Sequence, residues 1–211
     1  LMPILSNILI DFGPSGIKLY STDLEISAIG YIDFKTETEK KIILHGKKLQ
    51  EILREMENGD ISLKIEDNIL IIEQKKSEFV LSLQDPEEFP EVKEISVDEE
   101  IVVNGKALLE MINKVEFAIS MDETRYVLTG MYLKGFDGNM VVVGTDGFRM
   151  SLYRKDIEGL RGFKGIIIPR RSTTEIQRVI DEDEDVKISI GDKHVQFSTK
   201  NMTLISRIIE G

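Results

Sequence analysis

The sequence predicts an α+β fold built from two tandem domains of similar structure. Most of the chain alternates apolar and polar residues over short segments, as strands do, and three segments place apolar residues at helical spacing instead. The second half of the chain also repeats the pattern of the first. A length of 211 residues fits two domains of ordinary size, roughly 100–150 residues each.

The predicted strands are short period-two segments bounded by turn residues such as Gly13-Pro14-Ser15-Gly16 and Asp137-Gly138-Asn139. In the first half they lie at 7–12, 17–21, 24–33, 40–44, 60–65, 69–74 and 78–84. In the second half they lie at 127–136, 140–145, 148–153, 164–168, 185–190, 194–199 and 202–209, with one more strand at about residue 100.

The predicted helices span 46–57, 104–119 and 170–181, and each has an apolar side and a basic side. The basic sides hold Lys47, Lys48 and Arg54; Lys106 and Lys114; and Arg170, Arg171 and Arg178. Each basic side also contains an acid, Glu51, Glu110 or Glu175, so its potential is modest. From the residues alone, these cations either contact a polyanion or simply keep amphipathic helices soluble.

The chain aligns on itself at a nearly constant offset, which predicts a domain-sized repeat. Thr22-Asp23 matches Thr145-Asp146 at an offset of 123, and Ile42 to Leu44 match Ile166 to Ile168 at 124. The predicted domains are 1–84 and 100–211, joined by an acidic, proline-containing linker at 85–99. Residues 100–125 have no counterpart in the first copy, so we expect that domain to lack an N-terminal strand and helix.

Composition limits the function classes. The formal net charge of -11 opposes general binding to nucleic acid, so a DNA partner requires basic residues gathered on one surface. The sequence has no cysteine and no apolar run of the length a membrane span needs. We therefore expect a cytoplasmic protein without a membrane partner.

Catalytic and metal sites are not indicated by the sequence. His45 and His194 stand apart from any recognisable nucleophile or metal-binding partner. The acidic run from Asp181 departs from an EF-hand loop, with Val186 at the glycine position and Asp192 at the glutamate position. We predict a protein that is not an enzyme and has no metal or cofactor.

Five segments together resemble the bacterial sliding clamp family, the beta subunits of DNA polymerase III: "LMPILSNILI", "STDLEISA", "FVLSLQDPEEFP", "YVLTGMYL" and "VVVGTDGFRM". The resemblance covers essentially the whole chain. It implies clamp domains with antiparallel sheets outside and helices on the inner face of a ring, formed by a head-to-tail homodimer of three-domain subunits. We expect domains one and two here, with a third domain absent.

The resemblance also implies partners and sites. The expected partners are double-stranded DNA, bound without sequence preference, and DNA polymerase III and its clamp loader, bound through short peptide motifs. Matching positions imply DNA contacts at Lys47, Lys48, Arg54, Arg125, Tyr126, Arg170, Arg171 and Arg178. The basic side of helix 104–119 adds Lys106 and Lys114 to this predicted set. They imply a partner-peptide groove at Leu128, Thr145, Gly147, Phe148, Arg149 and Met150. Phe148 stands where the family often has histidine.

The expected function is therefore a DNA sliding clamp that encircles duplex DNA and tethers the replicative polymerase for processive synthesis. The alternative is a β-rich protein-interaction scaffold with no role in DNA binding. Retention of a full-length version on circular but not on linear DNA distinguishes the two.

Overall fold

The computed structural model describes residues 2–92 and 95–211. Lys93 and Glu94, which fall inside the predicted linker, and Leu1 lie outside the described residues. The chain divides into two compact units: unit 1 is Leu1–Leu24 with Ala28–Val92, and unit 2 is Glu25–Ser27 with Lys93–Gly211. Among the described residues, no helix has the length and apolar character needed to cross a membrane.

Unit 1 contains two antiparallel sheets and one α-helix. Its elements are β1 (Asn7–Gly13), β2 (Gly16–Thr22), most of β3 (Ile26–Ile32), β4 (Lys40–His45), α1 (Gly46–Glu55), β5 (Ser62–Glu66), β6 (Ile69–Gln74) and β7 (Ser77–Ser82). One sheet has the order β4-β1-β2-β3 and the other β5-β6-β7. Short 3₁₀ helices lie at Pro3–Ser6 and Pro86–Glu88.

The core of unit 1 lies between α1 and these strands. Ile42 and Leu44 from β4, Leu70 and Ile72 from β6, and Leu49 from α1 are buried in one apolar cluster. Burial of each such side chain stabilises the fold by about 1.5–3 kcal/mol. The helix therefore faces the sheets with its apolar side.

Unit 2 has the same kinds of element and one additional strand and helix. Its elements are β8 (Glu99–Asn104), α2 (Gly105–Val115), β9 (Gly130–Phe136), β10 (Asn139–Thr145), β11 (Met150–Asp156), β12 (Phe163–Pro169), α3 (Arg170–Val179), β13 (Asp185–Ile190), β14 (His194–Ser198) and β15 (Met202–Arg207), with 3₁₀ helices at Glu116–Ala118 and Glu123–Thr129. The strand orders are β11-β10-β9-β12 and β15-β14-β13-β8.

Helices α2 and α3 are fixed to the sheets of unit 2 by close packing and one buried hydrogen bond. α2 packs on β10 and β11, where a Cβ added to Gly144 would lie 2.3 Å from the carbonyl oxygen of Val115. Ser172 of α3 and Ser206 of β15 share a buried hydrogen bond of 2.6 Å between their hydroxyl groups. Both helices are therefore held against the sheets along one side.

The predicted repeat is present in the structure. β1 to β4, α1 and β5 to β7 follow the same order and sheet pairing as β9 to β12, α3 and β13 to β15. Both copies even end with the same bond: Gln84 N–H donates to Ile43 at 2.9 Å, and Ile209 N–H donates to Ile167 at 2.8 Å. β8 and α2 have no counterpart in the described part of unit 1.

Three predicted segments differ from the structure. Residues 127–129, predicted as strand, belong to the 3₁₀ segment Glu123–Thr129, which Asp122 caps by accepting from the Thr124 N–H at 3.0 Å and which is kinked at Arg125. The predicted helix 104–119 is α-helical to Val115 and then tightens to 3₁₀ geometry. Leu24, predicted to begin the strand 24–33, instead has a φ of 77° in a turn, and β3 begins at Ile26.

Candidate functional site

Helix α1 presents its basic residues on the side away from the core of unit 1. Lys47, Lys48 and Arg54 are exposed, whereas Leu49 is buried. Lys47 pairs with Glu51 at 3.9 Å, and the backbone N–H of Lys48 donates to His45 Nδ1 at 3.4 Å. His45 therefore has a structural role: it caps the helix that carries the cations.

In unit 2, α2 and α3 form one exposed surface. Gln177 Nε2 donates to Asn113 Oδ1 at 2.7 Å, so the solvent sides of the two helices adjoin. Their basic residues are Lys106 and Lys114 on α2, and Arg170, Arg171 and Arg178 on α3; all are exposed except Arg170, which is half-buried. Arg178 pairs with Glu175 at 2.9 Å.

The start of α3 borders an open hollow of about 580 Å³. Arg170, Arg171 and Thr174 line it from α3, and Met121, Glu123 and Tyr126 line it from the segment that follows α2. Tyr126, from the predicted DNA set, therefore lies with Arg170 and Arg171. The hollow combines two guanidinium groups with an exposed aromatic ring and one carboxylate.

Residues 145–150 form a turn between β10 and β11 that is held by its own side chains. Thr145 Oγ1 accepts from Gly147 N–H at 3.1 Å and donates to the Arg149 carbonyl at 2.7 Å. Asp146 accepts from the N–H groups of Phe148 and Arg149, both at 3.0 Å, and from Arg149 Nε at 3.0 Å. These donors hold the pKa of Asp146 below its usual value, and the Arg149 N–H makes the largest contribution.

Gly147 lets other groups approach this turn. Its φ is 85°, and an added Cβ would lie 2.6 Å from Arg125 Nη1 and 3.7 Å from Leu128 Cδ1. The Arg125 guanidinium also stacks over the Phe148 ring, 5.3 Å from the ring centre. Arg125, predicted as a DNA contact, therefore lies beside Leu128, Gly147 and Phe148, which were predicted as groove residues.

Several apolar side chains around the turn are exposed. Phe148 is 90% exposed and Met150 is 66% exposed. On the other side of the turn, Arg149 lies over the Phe117 ring at 5.7 Å, and its Nη2 donates to the Phe117 carbonyl at 2.8 Å. Large apolar side chains that are exposed close together often mark a site that binds a partner.

Phe117 was not among the predicted site residues. Phe117 falls inside the predicted helix 104–119, and only the structure shows that its ring is exposed while Val115 and Ala118 are buried. The sequence pattern does not indicate which arginine will lie against the ring.

Glu110, expected on the basic side of α2, lies instead against β11. It accepts from Tyr153 Oη at 2.6 Å and pairs with Lys155. The hydrogen bonds that Glu110 accepts, from Lys155 first and then from Tyr153, lower the pKa of Glu110, and the bond that each donor makes to Glu110 raises the pKa of that donor. The carboxylate therefore stays ionised, its charge is compensated chiefly by Lys155, and Lys114 on the predicted basic side of α2 also acts on it.

The second histidine is also part of the fold. His194 begins β14, where burial, with a further contribution from Arg207, lowers its pKa. Within residues 2–92 and 95–211, no group of three or more His, Cys, Asp or Glu side chains is arranged to hold a metal ion.

The architecture of each unit, antiparallel sheets with helices packed along one side, defines the DNA-clamp class of folds. Two family models match the chain: the DNA polymerase III beta subunit, central domain, over residues 102–211, and its N-terminal domain over residues 1–93. The chain belongs to the DNA polymerase III beta subunit family. The α+β fold and the resemblance seen in the sequence are thereby confirmed.

Named relatives and solved structures agree. The chain is 30% identical over 220 residues to the beta sliding clamp of Staphylococcus epidermidis and 31% identical over 219 residues to that of Caulobacter vibrioides; both alignments cover 100% of this chain. The DNA polymerase III subunit beta of Pseudomonas aeruginosa superposes with a TM-score of 0.93 at 27% identity, covering 100% of this chain and 59% of that one. The chain spans 58% and 59% of the lengths of the two relatives.

Proposed function

We propose that this chain is part of a DNA sliding clamp, a protein that acts by binding and not by catalysis. In the cytoplasm, the whole protein would encircle duplex DNA and tether the replicative polymerase. Membership of the beta subunit family supports the proposal, as do relatives named as beta sliding clamps. Because the chain spans 58% of the first of those relatives, the ring, the third domain and the head-to-tail homodimer are part of the proposal.

The observation that carries this proposal is a charge pattern repeated between α1 and α3. Lys47, Glu51 and Arg54 of α1 match Arg171, Glu175 and Arg178 of α3 at the single offset of 124. Both acids pair within their own helix, at 3.9 Å with Lys47 and at 2.9 Å with Arg178. General solubility does not require the same three charges at equivalent positions of two helices.

The chemistry suits sliding. Exposed Lys and Arg side chains contact phosphates without reading bases, and such contacts weaken steeply as salt rises. The paired acids and the net charge of -11 weaken the attraction of the protein for DNA phosphates and restrict that attraction to the helices. A duplex is thus positioned without being fixed.

The test uses a version of the chain extended to the length of the relatives. We expect it to remain on circular DNA after loading and to be lost when the DNA is cut. Replacing Lys47, Arg54, Arg171 and Arg178 by Gln should weaken retention, whereas the matched change of the exposed Lys35, Lys40, Lys76 and Lys200 to Gln should not. Equal retention on circular and linear DNA would favour the protein scaffold over the clamp.

We propose further that the turn at 145–150, together with Leu128, binds short peptides of DNA polymerase III and the clamp loader. Exposed Phe148 and Met150 offer an apolar surface, and Gly147 leaves the backbone open to close approach. Methionine adapts well to varied apolar anchors. Titration with a labelled peptide carrying a Leu-Phe anchor tests this, with a peptide bearing Asp at both anchor positions as the control.

A further inference from the structure

The exposed surface of α2 and α3 distributes its charges unevenly along its length. The start of α2 touches the segment after α3: the N–H groups of Gly105 and Lys106 donate to the carbonyls of Glu184 and Glu182 at 2.7 and 3.0 Å. The start of α3 borders residues 120–126, which follow α2. The helices therefore run antiparallel, and each end of the surface combines the start of one with the end of the other.

One end of this surface is acidic. Residues 181–185 read Asp-Glu-Asp-Glu-Asp, and their side chains are exposed apart from Glu184, which is half-buried. Lys106 and Arg178 are the members of the predicted DNA set at this end, and Arg178 is paired with Glu175 at 2.9 Å. The N–H of Lys106 also donates to Asn104 Oδ1 at 3.1 Å. The first N–H groups of α2 are therefore bonded to acceptors of the protein itself.

The other end is basic. Lys114 and Arg171 are exposed, and Arg170 is half-buried beside the hollow. The acids near this end are Glu116, Glu123 and Asp122, and Asp122 is already paired with Arg125 at 3.4 Å. Helix α3 has 10 residues and is thus about 15 Å long, which exceeds the Debye length of roughly 10 Å at 0.1 M salt. The two ends can therefore act on a polyanion independently.

We infer that duplex DNA contacts this surface from one side. Its phosphates are held at the end formed by Lys114, Arg170 and Arg171, while the acidic segment 181–185 repels them from the other end. Lys106 consequently adds little to binding. This inference rests on the proposed function. It adds that one end of the α2 and α3 surface contacts DNA and the other end does not.

The experiment measures binding of this chain to a short fluorescein-labelled duplex by anisotropy at about 0.1 M salt, where the Debye length is roughly 10 Å. Changing Glu182, Asp183 and Asp185 to Gln, Asn and Asn should tighten binding roughly fivefold, because a nearby repulsion is removed. A control with the same change in net charge replaces the exposed Glu37, Glu66 and Glu78 by Gln, and should change binding less than about twofold.

Single substitutions locate the contact. Lys114→Gln and Arg171→Gln should each weaken binding roughly threefold, whereas Lys106→Gln should have little effect. In the variant in which Glu182, Asp183 and Asp185 are replaced, Lys106→Gln should weaken DNA binding as much as Lys114→Gln does.

The contrary results are distinct. Equal losses from Lys106→Gln and Lys114→Gln in the unmodified chain, or no difference between the two triple variants, would overturn the one-sided contact while leaving DNA binding intact. A chain that binds no duplex at any salt concentration would also overturn the one-sided contact, and retention of the extended version on circular DNA would then test the proposed function separately.

Discussion

The two Thr-Asp turns share one backbone geometry but leave different surfaces. In unit 1, Leu24 has a φ of 77° and its N–H donates to Thr22 Oγ1 at 3.0 Å. In unit 2, Gly147 has a φ of 85° and its N–H donates to Thr145 Oγ1 at 3.1 Å. The threonine hydroxyl thus stabilises the same left-handed residue in both repeats.

The two turns differ after this residue. After Leu24, the buried Ile26 already begins β3. After Gly147, Phe148 is exposed, Asp146 holds two further N–H groups, and β11 begins only at Met150. The comparison teaches that the hydroxyl sets the backbone, while the residue in the left-handed position decides whether the backbone is open or covered by a side chain.

Copying the first turn into the second should have the largest effect. Gly147→Leu places a side chain at positive φ, which costs about 1–2 kcal/mol, and it displaces Arg125 from the backbone. Unfolding in urea should show this loss, and peptide binding at the turn should be abolished. Gly138→Leu is the control, because Gly138 has a φ of 78° and open space around it. Equal results for both variants would show that the neighbours of Gly147 are irrelevant.

Removing the Asp146 carboxylate should have the next largest effect. Asp146→Ala leaves the N–H groups of Phe148 and Arg149 and the Arg149 guanidinium without their acceptor, so the unfolding midpoint should fall by less than in Gly147→Leu. Asp146→Asn keeps an acceptor oxygen and should lose less. If Asn and Ala behave alike, the charge and not the hydrogen bonds holds the turn.

The same carboxylate predicts a dependence on pH. Its pKa is lower in the folded protein than in the unfolded chain, so it stabilises the fold above the unfolded value of about 3.9. This contribution is lost as the pH falls through the folded pKa. The difference in unfolding midpoint between wild type and Asp146→Asn should therefore shrink on acidification below about pH 4. A difference that is constant from neutral to strongly acidic pH would contradict this.

Relieving the first turn should produce a smaller change of opposite sign. Leu24→Gly removes a bulky residue from the left-handed region, and the unfolding free energy should rise by about 0.5–1 kcal/mol. Leu63→Gly, at an exposed and extended position of β5, should lose stability instead. A loss in both variants would mean that the Leu24 side chain contributes more than its backbone costs.

Truncating Phe148 should change stability least. A ring that is 90% exposed contributes little to the core, so Phe148→Ala should alter the unfolding free energy by less than about 0.5 kcal/mol. Peptide binding should nevertheless fall several-fold, and Phe148→His should restore part of it. Unchanged peptide affinity in Phe148→Ala would place the binding surface elsewhere.

Periodicity and self-alignment were enough to predict the helices and the repeat. Helical spacing correctly placed Leu49 and Ile176 inward and Lys47 and Arg178 outward, since the side of a helix follows directly from residue number. The offset between copies aligned strands that do pair equivalently. These features depend on regular local geometry.

The sequence did not predict where long side chains would lie. Arg125 turns to Phe148, and Arg149 turns to Phe117, because each guanidinium finds an aromatic face that is distant in sequence. Leu24 looked like a strand residue since nothing in its type indicates a positive φ. Asp122 followed by Thr124 was a usable capping signal for the first turn after Asp122, but the kink at Arg125 separates that turn from residues 127–129.

The contact at the start of α2 has a consequence for how the protein is made. The first N–H groups of this helix bond to carbonyls of Glu182 and Glu184, and a Cβ on Gly105 would lie 2.1 Å from the Asp181 carbonyl oxygen. During translation, α2 emerges long before those carbonyls exist. The bonds at its start must therefore await synthesis of nearly the entire second repeat, whereas its apolar side can pack as soon as β10 and β11 have been made.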